Sequence, residues 1–280
     1  MTNIKNDVEY VIAAPKSRLL TDWRELWQYR ELFYFFTWRD IKVKYKQTTL
    51  GLAWVLLQPL FTVVIFSLFF GKALNVPSNG LEYPVFVFSG LLLWNVFSSS
   101  INSAGNSMLT NAGIIKKIYF PRIIIPVASI LVACVDFVVA FGLFVVMLLY
   151  FRPAINYFYL ILCWPIAILT TLVGTMGISC WLAALNVKYR DFRYVIPFGL
   201  QIALFLSPVI YPMSILKASW ISYVLALNPM YAAISLFRAP LTGFTFENEL
   251  IAISLISTVI FFMGGIYYFK KTEAYFADIA

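Results

Sequence analysis

The chain has 280 residues, of which 61% are hydrophobic and only 12% charged, with a mean hydropathy of +0.82 and a formal charge of +8. These values fall far outside soluble-domain averages, and the basic residues stand at the ends of apolar runs, so the charge reads as membrane topology and not as a nucleic-acid-binding face. There is no histidine, which removes His-ligated metals, Ser-His-Asp chemistry and imidazole proton relays; Cys134, Cys163 and Cys180 lie inside apolar runs without disulfide or zinc spacing, so no metal site is expected.

The first forty-nine residues are polar, charged and aromatic, with no apolar core leading to a small-residue cleavage site. No cleaved signal peptide is expected, and the first spanning helix serves as the insertion signal. Residues 21–38 read as an amphipathic interface helix. Asp22 and Glu25 have the spacing of a capping pair, Trp23, Leu26, Trp27 and Phe33/Tyr34 recur at helical intervals, and Arg24, Arg30 and Arg39 add basic charge. Arg24, Glu25, Arg30 and Glu31 argue against a span here. The following run, Arg39 to Lys46, carries Lys42, Lys44 and Lys46, which either receive a pyrophosphate headgroup or anchor the helix on anionic lipid.

Six segments meet the requirement of about twenty apolar residues: 50–71, 84–108, 123–150, 157–185, 195–212 and 250–269. With both termini inside, seventeen of the 21 Lys and Arg residues are cytoplasmic; only Lys72, Arg152, Lys217 and Arg238 fall outside. Between the fifth and sixth spans, 213–249 contains two apolar stretches of about a dozen residues, punctuated by Pro229 and Pro240. They suggest a pair of short re-entrant or interfacial helices. The expectation is an all-α integral membrane protein, one transmembrane domain over 1–280.

Four features could carry function. The loop Gly113–Pro126, GIIKKIYFPRIIIP, joins Lys116, Lys117 and Arg122 to Ile114, Ile115, Ile118, Tyr119 and Phe120. It is too apolar for a bare solvated hairpin. Either it lies among lipid headgroups or it is a short helix offered to another protein. The second span carries Asn95, Ser99, Asn102 and Asn106 at steps of four, three and four, a stripe suited to helix packing or to lining a pathway. Trp54, Gln58, Phe61 and Phe69 share one side of the first span, and Tyr194, Phe198, Gln201 and Phe205 one side of the fifth. Such faces suit either a packed core or a polyhydroxylated guest. Asp136 is the only acid within the six spans. It is a candidate for proton coupling, but without His or membrane-embedded Lys a hydrogen-bonded structural role suits it better. No G-x-x-x-x-G-K-[ST] occurs, so ATP, if it is the energy source, is hydrolysed by another subunit.

The segments WRDIKVKYKQTTLGLAWVLLQPL (Trp38–Leu60), KIYFPRIIIP (Lys117–Pro126), NVKYRDFRYVIPFGLQIALFLSPVIYP (Asn186–Pro212) and LNPMYAAISLFRAPLTG (Leu227–Gly243) resemble the membrane subunits of ABC-2 type exporters that move polysaccharides. Wzm-type O-antigen permeases, capsule permeases and the teichoic-acid permease belong to that family. The resemblance implies a homodimer of six-helix subunits in the bacterial inner membrane, in contact with membrane lipids. Two copies of a separate ATPase would hold the ATP and Mg, and this chain would be a transport subunit without catalytic residues. It assigns Ile114–Phe120 to a coupling helix seated on the ATPase, and Arg190, in the 188–193 loop, to a second contact. Trp23, Trp27 and Arg30 fall on the interface helix, while Trp54, Gln58, Phe61, Asn95, Ser99, Asn102, Phe198, Gln201 and Phe205 would line the channel. The implied substrate is a lipid-linked polysaccharide, O-antigen above all. Teichoic acid, capsule, a drug or a lipid are the alternative cargoes, and a proton-coupled transporter or a membrane enzyme on polyprenyl-linked sugars the rival classes.

Overall fold

The computed structural model describes residues 23–46, 51, 53–212, 220–243, 247–273 and 276, with described side chains beginning at Leu26. The chain is all-α over these residues: α1 (Trp23–Gln28), α2 (Arg30–Lys46), α3 (Ala53–Phe66, wound on as a π-helical stretch Ser67–Ala73), α4 (Tyr83–Thr110), α5 (Ala112–Ile115), α6 (Ile124–Phe151), α7 (Tyr157–Lys188), α8 (Phe192–Phe205), α9 (Trp220–Ala226), α10 (Pro229–Arg238) and α11 (Asn248–Thr272). Five are long and apolar enough to cross a bilayer: α3 with its extension, α4, α6, α7 and α11. They extend the expected spans by a few residues at most.

α4 occupies the middle. Of its most apolar window 78% is buried, against 11% for the first span, which places α3 at the periphery and α4 at the centre. α6 and α7 flank α4, while α10 and α11 pack on α7. Two glycines set the α7–α11 spacing: a Cβ on Gly177 would lie 2.5 Å from the Phe261 carbonyl oxygen, and one on Gly265 1.9 Å from that of Gly177.

The fifth expected span, 195–212, is only partly helical. α8 has 14 residues, about 21 Å at the α-helical rise, short of a core about 30 Å thick. Pro208 explains the stop, since the residue before a proline is driven out of the α region and the ring supplies no amide hydrogen. The chain still traverses the bundle. Ile196 packs on Gly105 and the Ile210 carbonyl accepts from the Tyr83 hydroxyl at 2.8 Å, which are points about 33 Å apart along α4.

Backbone freed inside a membrane needs partners, and here it finds them. The Tyr211 hydroxyl donates to the Phe205 carbonyl at 2.8 Å. Arg238, buried at the end of α10, donates to the Pro208 carbonyl, to Val209 O at 2.7 Å, to Phe86 O at 2.8 Å and to Ser89 Oγ at 3.0 Å. Its guanidinium also lies 3.6 Å from the centre of the Phe86 ring. Four acceptors and an aromatic face thus solvate a buried cation and clamp α10, α4 and the end of the broken span together. Gly90 makes room for it, because a Cβ there would meet Arg238 Nη2 at 2.5 Å.

α9 and α10 meet at 93°, and each is too short to cross alone. Asn228 caps α10 through the Met230 amide at 3.0 Å and donates to Ser207 Oγ at 2.7 Å. Residues 213–219, part of the expected re-entrant region, lie outside the described residues.

The interface helix differs from the expected 21–38. It breaks at Tyr29, and its second part runs on to Lys46, since no Gly or Pro interrupts Trp38–Lys46. Nor do its apolar residues share one face. Leu32, Phe33 and Phe36 turn to the protein, while Trp27, Tyr34, Phe35 and Trp38 are exposed, so α2 is apolar on both sides. Trp27 carries Arg30 over its ring, with the guanidinium 5.7 Å from the centroid. Asp22 lies outside the described residues, as do the side chains of Trp23, Arg24 and Glu25.

The two ends of the bundle differ in charge. Lys116, Lys117, Arg122, Lys188, Arg190, Lys270 and Lys271 gather with α2 at one end, while Lys72, Arg152 and Arg238 belong to the other.

Candidate transport cavity and coupling loop

A cavity of about 600 Å³ opens between α3, α4, α6 and α8. Trp54 and Gln58 from α3, Asn95, Ser99 and Asn102 from α4, and Gln201 from α8 line it, so three separate polar or aromatic stripes converge on one space. Phe137, Ala140, Leu92, Pro197 and Leu204 supply apolar wall. Amides and hydroxyls on an apolar wall can hydrogen-bond a hydroxyl-rich guest while its ring faces rest on hydrocarbon.

Phe61, Phe198 and Phe205 do not line this cavity; together with Phe69 and Tyr194 they are exposed on the outer faces of α3 and α8. Helical spacing places them on the same side as the glutamines. The cavity takes up only the part of each stripe nearest α4. The α4 stripe also divides. Asn106 does not line the cavity but accepts from Asn186 of α7 at 3.1 Å, and Asn186 also donates to the Gly105 carbonyl at 2.8 Å. Its upper part is therefore lining and its lower part packing.

Asp136 lines the cavity and is not isolated. Lys44, reaching across from α2, forms an ion pair with it, and the Tyr45 hydroxyl donates to its other oxygen. Burial, then the Asp136 carboxylate, pushes the Tyr45 hydroxyl above its ordinary value, so it is a donor at neutral pH. Lys44 lies outside every expected span, and only the extension of α2 to Lys46 brings it to Asp136. Lys42 is exposed, with its ammonium 5.2 Å from the Trp38 ring centre, and Lys46 is exposed as well.

The basic loop after α4 is less helical than the expected Ile114–Phe120. Only Ala112–Ile115 is α-helix, and residues 116–120 run through turns. Pro121 again disfavours helix at the residue before it. The chain also bends inward so that Phe120 packs on Phe36 of α2, with ring centres 5.8 Å apart. Ile115 and Phe120 are thus buried in their own subunit, while Ile114 is half-buried. Arg122 is tied to the end of α11 through Glu273, its amide donating to the carboxylate at 3.0 Å. What remains outward is Lys116, Lys117, Ile118 and Tyr119, the last two 60% and 73% exposed. Arg190, in the turn between α7 and α8, is exposed too.

Comparison with known proteins places the chain in a family. The family model described as ABC-2 type transporter matches residues 31–242. The chain is 28% identical to the O-antigen export system permease protein RfbA of Klebsiella pneumoniae over 89% of its own length and 95% of that protein's. It is 27% identical to the RfbA protein of Myxococcus xanthus, covering 91% and 98% of the two chains. With the polysialic acid transport protein KpsM of Escherichia coli the identity is 24%, covering 84% and 92%. From α2 to the end of α10 the helices and the cavity between them lie within the matched region, and this chain belongs to the ABC-2 type transporter family of multi-span membrane proteins.

Proposed function

We propose that this chain is the membrane half of an ATP-driven exporter of lipid-linked polysaccharide, O-antigen above all, in the bacterial inner membrane with both termini cytoplasmic. Two copies form the channel, and two copies of a separate ATPase, holding ATP and Mg, drive it. The observation that carries this reading is the cavity in which Trp54, Gln58, Asn95, Ser99, Asn102 and Gln201 meet. Its mix of amide, hydroxyl and aromatic groups suits a glycan better than a greasy drug. The printed names of the relatives, which concern O-antigen and polysialic acid, point the same way.

The route for mechanical work runs through packed side chains. The ATPase rests on Lys116, Lys117, Ile118 and Tyr119, with Arg190 as a second contact. Movement of that loop reaches α2 because Phe120 packs on Phe36. It reaches the cavity because Lys44 and the Tyr45 hydroxyl of the same helix both contact Asp136 on α6. Nucleotide can bias the channel only through such contacts, if they differ between closed and open states. Phe61, Phe198 and Phe205, exposed on one subunit, face the second copy across the channel, where sugar rings slide on them.

The test is ATPase activity of the purified complex. Stimulation by a lipid-linked glycan and indifference to hydrophobic drugs supports this reading; the reverse pattern assigns the chain to drug or lipid export.

A further inference from the structure

Lys44 stands where two cavities meet. Besides the main chamber it lines a second one of about 380 Å³ toward the basic end, walled by Arg39, Asp40, Ser103, Ser107, Thr110 and Ser129. Ser99 and Ala133 are the other residues common to both chambers. The Lys44 side chain therefore borders both chambers, and the Asp136 carboxylate holds its amine.

The local charges do not balance. Arg39 pairs with its neighbour Asp40 at 2.7 Å, and Lys44 with Asp136, and among the described residues no carboxylate pairs with Lys42 or Lys46 on the same turns of α2. The Lys44 end of the pair is open, its side chain 44% exposed against 18% for Asp136, so the amine can exchange partners while the carboxylate keeps the Tyr45 hydroxyl. A phosphate or pyrophosphate ester offers several anionic oxygens where the carboxylate offers two. On the same helix as Asp136, Leu131, Val135 and Val138 expose an apolar face on which a long hydrocarbon tail can lie.

We infer that Lys44 is a capture site for a phosphate-type headgroup on an apolar tail, and that Asp136 occupies the amine until that headgroup displaces it. The inference rests on the proposed lipid-linked substrate and adds a site and a latch to it. No covalent step is involved: one ion pair is exchanged for another, and the freed carboxylate stays with Tyr45. The tail distinguishes such a ligand from free phosphate, and the headgroup distinguishes it from a neutral polyprenol.

The test is equilibrium binding to the purified complex of three probes: undecaprenyl pyrophosphate, undecaprenol and dioleoylphosphatidylglycerol. The wild type prefers the pyrophosphate lipid. Lys44→Gln weakens that affinity by about tenfold, the scale of one charge-assisted hydrogen bond, and Lys44→Arg restores it. Asp136→Asn strengthens it, because the competitor for the amine is gone. Neither change alters binding of the other two probes. A purely structural ion pair predicts instead that both variants lower the melting midpoint and weaken all three probes together. Wild-type binding with unaltered or weakened affinity in Asp136→Asn refutes the latch alone. Equal binding of phosphatidylglycerol refutes selective capture. Failure of the wild type to bind undecaprenyl pyrophosphate removes both the latch and the lipid-linked substrate.

Discussion

Gly90→Ala places a methyl group against the buried cation that closes the broken fifth span. The new Cβ would stand 2.5 Å from Arg238 Nη2 and 3.1 Å from the Val209 Cα, against an ordinary contact of about 3.5–4 Å. Backbone on one side cannot give way, so the guanidinium must withdraw by about 1 Å. Nη2 is the atom that donates to Phe86 O and Val209 O, and hydrogen bonds to charged groups contribute about 1.5–3 kcal/mol each. Replacing a mid-helix glycine with alanine gains only about 1 kcal/mol of propensity. The clash wins, with a net loss of about 2–5 kcal/mol. Thermal unfolding of the detergent-purified chain reads it out. Gly142→Ala on α6 is the control, since its Cβ would meet nothing within 4 Å and should leave the midpoint level or raised. In an Arg238→Ala background the cost of Gly90→Ala should shrink, as coupled neighbours require. A Gly90→Ala protein as stable as the wild type would refute the claim that Arg238 locks this end of the bundle.

Three further outcomes follow from the packing and the cavity. Gly177→Ala drives a methyl into the Phe261–Phe262 backbone and should destabilise by about 1–3 kcal/mol or more, measured by the same melt. Phe205→Ala, on an exposed face, should leave the melting midpoint and complex assembly unchanged while slowing export; unchanged surface glycan would show that the ring contributes nothing to the pathway. Gln58→Leu combined with Gln201→Leu removes two amides from the cavity wall and should reduce glycan-stimulated ATPase while basal ATPase persists.

Much of this architecture was legible in the order of residues. Apolar runs of the right length located α3, α4, α6, α7 and α11, because a bilayer admits few alternatives. The four-three-four spacing on α4 correctly marked a polar face, yet it could not tell that Asn95 and Asn102 would line a cavity while Asn106 met Asn186. Periodicity fixes which residues share a side and leaves open what that side touches. Phe61, Phe198 and Phe205 fell on the expected sides and still missed the cavity, for the same reason. Arg238 was legible only as a charge outside the spans. Its role depends on carbonyls released when Pro208 ends α8, a tertiary event that no local pattern encodes. The signal that could have found it was a lone arginine at the end of a short apolar helix, with an unexplained glycine in the middle of α4. Composition marked the loop after α4 as too apolar to be bare, but the helix expected over Ile114–Phe120 is shorter. Pro121 and the inward pull of Phe120 toward Phe36 limit it to Ala112–Ile115.

If force enters through the exposed Lys116–Tyr119 turn, as proposed, the ATPase docks there, and co-purification of the ATPase with tagged Ile118→Asp and Lys117→Glu variants measures that docking. Ile118 is exposed in its own subunit, so an acid there should cost the fold little and the docking a great deal. Membrane-inserted, folded protein that brings down little ATPase is the expected result. Recovery of ATPase at the wild-type ratio with both variants would contradict it.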